Sequence, residues 1–308
     1  VRPALPSVVT ATAAALVTLA FPATAAAAEA INGPIHFGSS SVINPDGTDE
    51  RRIPERDTHT YYSDFLSFSP DGENTLYVTY ETPEPDSMTM LAIDNPEYTA
   101  PTTLVTSGEL DASYIGNASW SPDGEWIAFR FADSSGSHEM GMIRPDGTDL
   151  TVLTVPSHLD SHSVSWLPDS SGIVYTRSPA FAENYLCTIT ITTDSSDCVD
   201  LPGGQEWFFD RAQVSPDGTT VLLTSQIDVD PELGSTYDLM HLNIDGTGMV
   251  NLTENETGDQ TTDAVWSPDG TAIAFVRSNS LWTMDADGGN DTQLSTSYGN
   301  NIAWQPVF

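Results

Sequence analysis

The chain has 308 residues, with 44 acidic against 9 basic side chains, every basic one an arginine, and a formal net charge of −35. A surface this acidic repels duplex nucleic acid and anionic lipid, so neither is a partner class for it. Cations, basic proteins and neutral glycans remain, as does plain solubility in a salty exterior.

Residues 1–28 carry the marks of a secretory signal. Arg2 is a lone positive charge, Pro3 to Phe21 is small and apolar, and Ala23 to Ala28 offers small residues for cleavage before Glu29. The apolar run is rich in Ala and Thr and short for a membrane span, which favours removal over a retained anchor. No later segment is apolar enough to cross a bilayer. The expectation is one secreted domain over 29–308, extracellular or periplasmic, without a membrane span and monomeric.

From Pro34 to Ile53 the chain reads as the later part of a repeat. Ile35 to Phe37 matches a second strand, and Asn44-Pro45-Asp46-Gly47-Thr48 matches a hairpin turn. A five-residue phrase then recurs. Phe68 to Gly72, Trp120 to Gly124, Trp166 to Ser170, Val214 to Gly218 and Trp266 to Gly270 are its copies, and Trp304-Gln305-Pro306 is a remnant. The starts lie roughly 38 to 52 residues apart, the range of propeller and solenoid arrays.

One repeat, Gly116 to Thr154, shows the template. Asn117 to Ser121 is a short first strand. Pro122-Asp123-Gly124 is a tight turn, in which Pro presets φ, Asp bonds its own backbone and Gly supplies positive φ. Trp126 to Phe131, Glu139 to Arg144 and Leu150 to Thr154 follow as strands, the last two joined at Pro145-Asp146-Gly147-Thr148. Second strands recur at Leu76 to Thr79, Ile173 to Thr176, Val221 to Thr224 and Ile273 to Arg277. Asp285 to Asp291 has the look of a calcium loop but lacks the spacing and the trailing Glu, so it reads as another hairpin turn.

Four antiparallel strands per repeat describe a propeller blade. The expected fold is all-β, a six-bladed β-propeller. The last blade is closed by the C-terminal strand at Asn300 to Phe308 beside the N-terminal strands, which removes the open sheet edges. The recurring aromatic should fill the wedge between blades. Cys187 and Cys198, the two cysteines, fall in one hairpin of the third repeat and are expected to form a disulfide.

The order Trp/Phe-Ser-Pro-Asp-Gly, Ile-Ala-Phe, Asp-Gly-Thr, Leu-Thr resembles the WD40-like PD40 repeat of the TolB-like six-bladed propeller family, over about Pro34 to Phe308. The resemblance implies a secreted or periplasmic, non-catalytic protein that binds other proteins. The same repeat occurs in propellers of prolyl-oligopeptidase-type peptidases and of some polysaccharide lyases. Here no Gly-x-Ser-x-Gly nucleophile elbow occurs, and no close pair of histidines of ligand type stands within one strand.

Loops that lead into first strands collect the unusual residues: His59, Tyr61 and Tyr62; Tyr114; His158 and His162; Trp207, Phe208 and Phe209; and Tyr298. Long acidic loops are expected beside them at Glu81 to Asp86 and Asp228 to Glu232. Positions three to four residues before each first-strand aromatic should line the channel mouth. These are Asp64, Asn117, His162, Asp210 with Arg211, Asp263, and Asn300 with Asn301. With Tyr114 and Trp207 they form the candidate binding set, for a protein or glycan of the cell envelope. No cofactor is required on this reading, although carboxylate and amide oxygens at the axis are also the ligands Ca²⁺ takes. The alternative is a carbohydrate-active enzyme, a lyase or hydrolase working at the mouth through Asp64, His162, Asp210, Arg211 and Asp263.

Overall fold

The computed structural model of the chain describes residues 31–38, 41–52, 60–62, 67–81, 88–94, 102–134, 136–154, 163–177, 184–202, 207–230, 234–254, 260–297, 299 and 301–308. The expected cleavage site at Ala28 lies outside them. The described strands form six sheets, every ladder within them antiparallel.

In blade 1, β4 (Thr60–Tyr62) and β5 (Ser67–Phe68) both pair with β6 (Thr75–Glu81), followed by β7 (Met88–Asp94) and β8 (Thr102–Thr106). Blade 2 runs β9 (Ala112–Trp120), β10 (Ile127–Asp133), β11 (His138–Ile143) and β12 (Thr151–Leu153). Blade 3 runs β13 (Ser165–Trp166), β14 (Gly172–Arg177), β15 (Asn184–Thr190) and β16 (Ser195–Leu201). Blade 4 runs β17 (Trp207–Val214), β18 (Thr220–Asp230), β19 (Gly234–Asn243) and β20 (Val250–Asn251). Blade 5 runs β21 (Thr261–Trp266), β22 (Ala272–Arg277), β23 (Ser280–Asp285) and β24 (Thr292–Ser295). Blade 6 joins the two ends of the chain: β25 (Ala303–Val307) lies against β1 (Ile31–Phe37), then β2 (Ser41–Ile43) and β3 (Arg51–Arg52).

The repeated phrase is explained by its hydrogen bonds. In blade 2, Gly124 N donates to Ser121 O at 2.9 Å, and Gly124 takes φ 72°, where a side chain would be strained. Ser121 Oγ accepts from Trp126 N at 2.9 Å, and Asp123 Oδ1 accepts from Glu125 N at 3.0 Å. Serine and aspartate thus satisfy two backbone donors that a tight turn leaves without partners. The late turn works the same way: Asp146 Oδ1 accepts from Thr148 N at 3.0 Å and from its hydroxyl at 2.6 Å.

The first-strand aromatic seals the seam between blades. Trp120 packs with Leu76 and Val78 of blade 1, Trp166 with Ala128 and Met140 of blade 2, and Trp266 against Leu222 and Leu239 of blade 4. Burying one such ring removes on the order of 200 Å² from water, about 5 kcal/mol as an upper bound. Two of the three indole nitrogens are used too. Trp166 Nε1 donates to Ser119 O at 3.1 Å and Trp266 Nε1 to Gln213 O at 3.2 Å, each reaching back to the preceding blade.

The ring closes as the ends of the sequence imply. Ile35 pairs with Trp304 and His36 with Ala303. Trp304 Nε1 donates to Gly33 O at 2.9 Å. Gln305 Nε2 donates to Gly72 O at 2.9 Å, which ties blade 6 to blade 1. Glu50 accepts from the hydroxyls of Ser295 and Ser297 at 3.0 and 2.7 Å, which ties it to blade 5. In blade 3, Cys187 and Cys198 oppose each other across β15 and β16 and are joined by a disulfide with S–S 2.01 Å.

Some residues expected in loops are strand. Tyr61 and Tyr62 lie in β4, Tyr114 in β9, and Trp207 to Phe209 in β17, with Phe209 buried in the seam between blades 3 and 4. The acidic loop expected from Asp228 is ladder as far as Asp230, which pairs with Gly234, and Glu81 pairs with Met88. These segments alternate β-branched and aromatic residues, so the ladder continues where their charge suggested a loop. Residues 82–87 and 231–233 lie outside the described residues.

Candidate functional site

The first strands of the blades line the axis, and those of blades 2, 4 and 5 carry a bulge at the same place. Asn117 and Ala118 together oppose Phe129; Arg211 and Ala212 oppose Leu223; Asp263 and Ala264 oppose Phe275. Each opposed side chain is fully buried. The first bulge residue adopts positive φ: 49° at Asn117, 51° at Arg211 and 46° at Asp263. Asn301, the equivalent residue of blade 6, has φ 49°. Asn and Asp enter this region more readily than other residues that carry a side chain. Arginine does not, so Arg211 holds a conformation that costs on the order of 1 kcal/mol or more.

That cost is met by contacts across the seams. Arg211 Nη1 bonds Asp263 Oδ1 of the next blade, and the Asp263 side chain is only 10% exposed. The bulge frees Ala212 N from the ladder, and Ser163 Oγ of blade 3 accepts it at 2.6 Å. Val214 N is taken at 2.9 Å by Ser165 Oγ. The ion pair neutralises the one cation and the one carboxylate of the ring described here.

Between the bulges lies a cavity of about 10 Å³. That is close to the least volume that holds one water, so this lining forms a small seat at the axis. Asn117, Ser163, Arg211, Gln213 and Asp263 give it polar atoms, and Ala118, Val164, Ala264, Val265 and Ile302 give it an apolar wall. Asn117 and Gln213 form no side-chain hydrogen bond among the described residues.

Of the residues expected at the mouth, Asn117, Arg211 and Asp263 therefore meet around one cavity. Asn301 holds the matching backbone position, and its neighbour Ile302 supplies the wall. Tyr114 lies in β9 one turn of the ladder above Asn117, half-buried; its ring covers Gly116, where a Cβ would collide with it. Trp207 and Asp210 are placed in β17, Asp210 directly before the bulge, and their side chains are outside the described structure. Asp64 and His162 lie outside the described residues, as do His59, His158, Asn300 and Tyr298.

Sequence reasoning missed Gln213 and Ser163. The signal was there in spacing: Ser163 stands three residues before Trp166, as Asn117 does before Trp120 and Asp263 before Trp266. Gln213 was hidden because the bulge restores its side chain to the axis one residue late. As to metals, no group of three or more His, Cys, Asp or Glu among the described residues is placed to hold one.

Residues 215–304 match the family model of the dipeptidyl peptidase IV (DPP IV) N-terminal region. A comparison with curated proteins found no match to this sequence. Among solved structures, TolB from Acinetobacter baumannii is similar with TM-score 0.68 and 18% identity over 89% of this chain, which spans 66% of that protein's length. A chain of the nidogen/laminin complex is similar with TM-score 0.65 and 11% identity, covering 88% of this chain and 98% of that one. Oligogalacturonate lyase from Vibrio parahaemolyticus is similar with TM-score 0.51 and 13% identity, covering 82% of this chain and 70% of that one. The chain has the TolB-like six-bladed propeller fold.

Proposed function

We propose that this chain is a secreted, non-catalytic binding module that takes a protein of the cell envelope on the face around the axial seat. The observation that carries the reading is the pair of side-chain amides, Asn117 and Gln213, held beside a neutralised Arg211–Asp263 pair and without a hydrogen bond of their own among the described residues. Such a site presents donors and acceptors without net charge, which suits a polar group of a partner laid over it. The fold likeness to TolB and to a chain of the nidogen/laminin complex supports a protein as the partner. The disulfide supports an oxidising compartment. Tyr114, Trp207, Asp210 and Asn301, with Asp64 and His162 on the loops leading in, would form the rim.

The likeness to oligogalacturonate lyase keeps a carbohydrate-active enzyme as the second reading. Glycoside hydrolysis by the usual route needs two carboxyl groups across one cavity. The described lining offers one, Asp263, and Arg211 holds it.

The test is capture of partners from the native envelope by the full chain, followed by titration of the partner so identified. Gln213→Leu removes one amide with little change of volume, at a residue inside the regular ladder. It should weaken binding about tenfold while the melting temperature stays within a few degrees. A partner bound equally well by Gln213→Leu and Arg211→Gln would overturn the reading.

A further inference from the structure

A second opening lies in the seam between blades 4 and 5, and it shares no lining residue with the axial seat. It has a volume of about 320 Å³. The turn residues Asp217, Asp269 and Asp287 stand around it, and His241 and Trp266 form its inner wall. No arginine lines it.

Comparison with the seam between blades 2 and 3 shows why this one is open. There, Met142 stands beside Ala128 on the ladder and packs in the same cluster as Trp166, which is buried. Here, His241 takes the matching place beside Leu222, and Trp266 is only half-buried. The imidazole meets the indole edge to face, with centroids 6.0 Å apart. A flexible apolar plug has been exchanged for a shorter polar ring, and the Trp266 ring is fixed in place by its bond to Gln213 O.

We propose that this cleft is a second binding site, one that takes an arginine side chain from a basic segment of a partner protein. The half-buried indole offers a π-surface for a guanidinium, and the three carboxylates at the rim offer it charged acceptors. Two of these carboxyls, at Asp217 and Asp269, are held in the charged form by their neighbours. Hydrogen bonds from Ser215 and Thr219 hold the Asp217 carboxyl below its usual range. Burial acts against this at Asp269, and bonds from Thr271, Ser267 and Asn32 overcome it. Burial lowers His241 in turn, although Asp217 opposes it, so the imidazole adds no positive charge near neutral pH. A chain of net charge −35 draws basic segments towards itself over a long range, and this cleft gives one residue of such a segment a place to dock.

The probe is N-acetyl-arginine methylamide, titrated into the full chain at fixed ionic strength, with the indole N–H resonance of Trp266 as the readout. Its neutral isostere N-acetyl-citrulline methylamide is the control. The arginine probe should move the resonance, and citrulline should bind at least about tenfold more weakly. His241→Met, which copies the plug of blade 2, should weaken arginine binding about tenfold. Asp287→Asn, at an exposed turn where folding is not at risk, should weaken it about threefold. Arg211→Gln, at the axial seat and without contact to this cleft, should leave it unchanged, which separates this site from the axial one. Equal binding of arginine and citrulline would overturn the proposal, as would tighter binding of a neutral hexose. So would arginine binding that survives both His241→Met and Asp287→Asn.

Discussion

Blades 3 and 6 both depart from the repeat, and they are secured by opposite means. Blade 3 has lost the serine of its first turn, where Leu167 stands, and Ser170 takes the glycine's positive φ of 59°. Its outer hairpin turns through residues 191–194 without an Asp-Gly pair, and a disulfide clips β15 to β16 across 11 residues. Blade 6 keeps its Asp-Gly turn and has no covalent clip, yet it joins segments 271 residues apart through hydrogen bonds and the buried Trp304. The entropy of closing a loop grows with the logarithm of its length, so the longer closure costs about 3 kcal/mol more. A clip between neighbours steadies one hairpin. The contact between chain ends holds every blade at once, and the packing of a single strand has to supply it.

The comparison can be broken most directly at β25. Ending the chain after Ser297 removes Ile302, Ala303 and Trp304, all buried, and exposes the inner edge of β1. The melting temperature should fall by roughly 10 °C or more, given several kcal/mol of lost burial. An unchanged melt would show that the ring does not depend on its closure.

Acid should act on blade 6 and spare blade 3. His36 is 4% exposed, and burial, countered in part by the bond its imidazole donates to Gln305, lowers its pKa to about 4. Below pH 6.5 the unfolded chain takes up a proton that the folded chain refuses until about pH 4. Stability present above that window is therefore lost as pH falls through it, by up to about 3 kcal/mol. Denaturant melts at several pH values should show a shallower slope between pH 4 and 6.5 for His36→Leu than for wild type. Identical slopes would remove His36 from the account.

The smallest effect is expected at the clip. Replacing Cys187 and Cys198 together by alanine should cost about 2 to 3 kcal/mol, with the ring still closed. A loss as large as that of the β25 truncation would mean that blade 3 and not blade 6 limits the stability of the whole.

The ring was legible in the sequence because its turns are built from residues with narrow jobs. Gly124 must reach positive φ and Ser121 must cap Trp126 N, so the same letters return wherever the same turn does. Strand lengths were less legible. Nothing in Thr220 to Asp230 marks where the ladder stops, since its acidic end pairs as readily as its apolar start. The axial residues were found by counting back from the aromatic, which reached Asn117, Arg211 and Asp263. The bulge itself was not visible: an arginine gives no warning that it will sit at φ 51°, and that conformation is set by Leu223 opposite and Asp263 across the seam.

On the proposed reading of the axial seat, the bulges have a consequence for how such a protein changes its ligand. At one backbone geometry the axis carries an amide at Asn117, a guanidinium at Arg211, a carboxylate at Asp263 and a second amide at Asn301. The sockets are identical and the fittings differ. Swapping one fitting for another rewrites the chemistry of the seat while the scaffold beneath keeps its shape, so new specificities are reachable by single substitutions that leave folding intact.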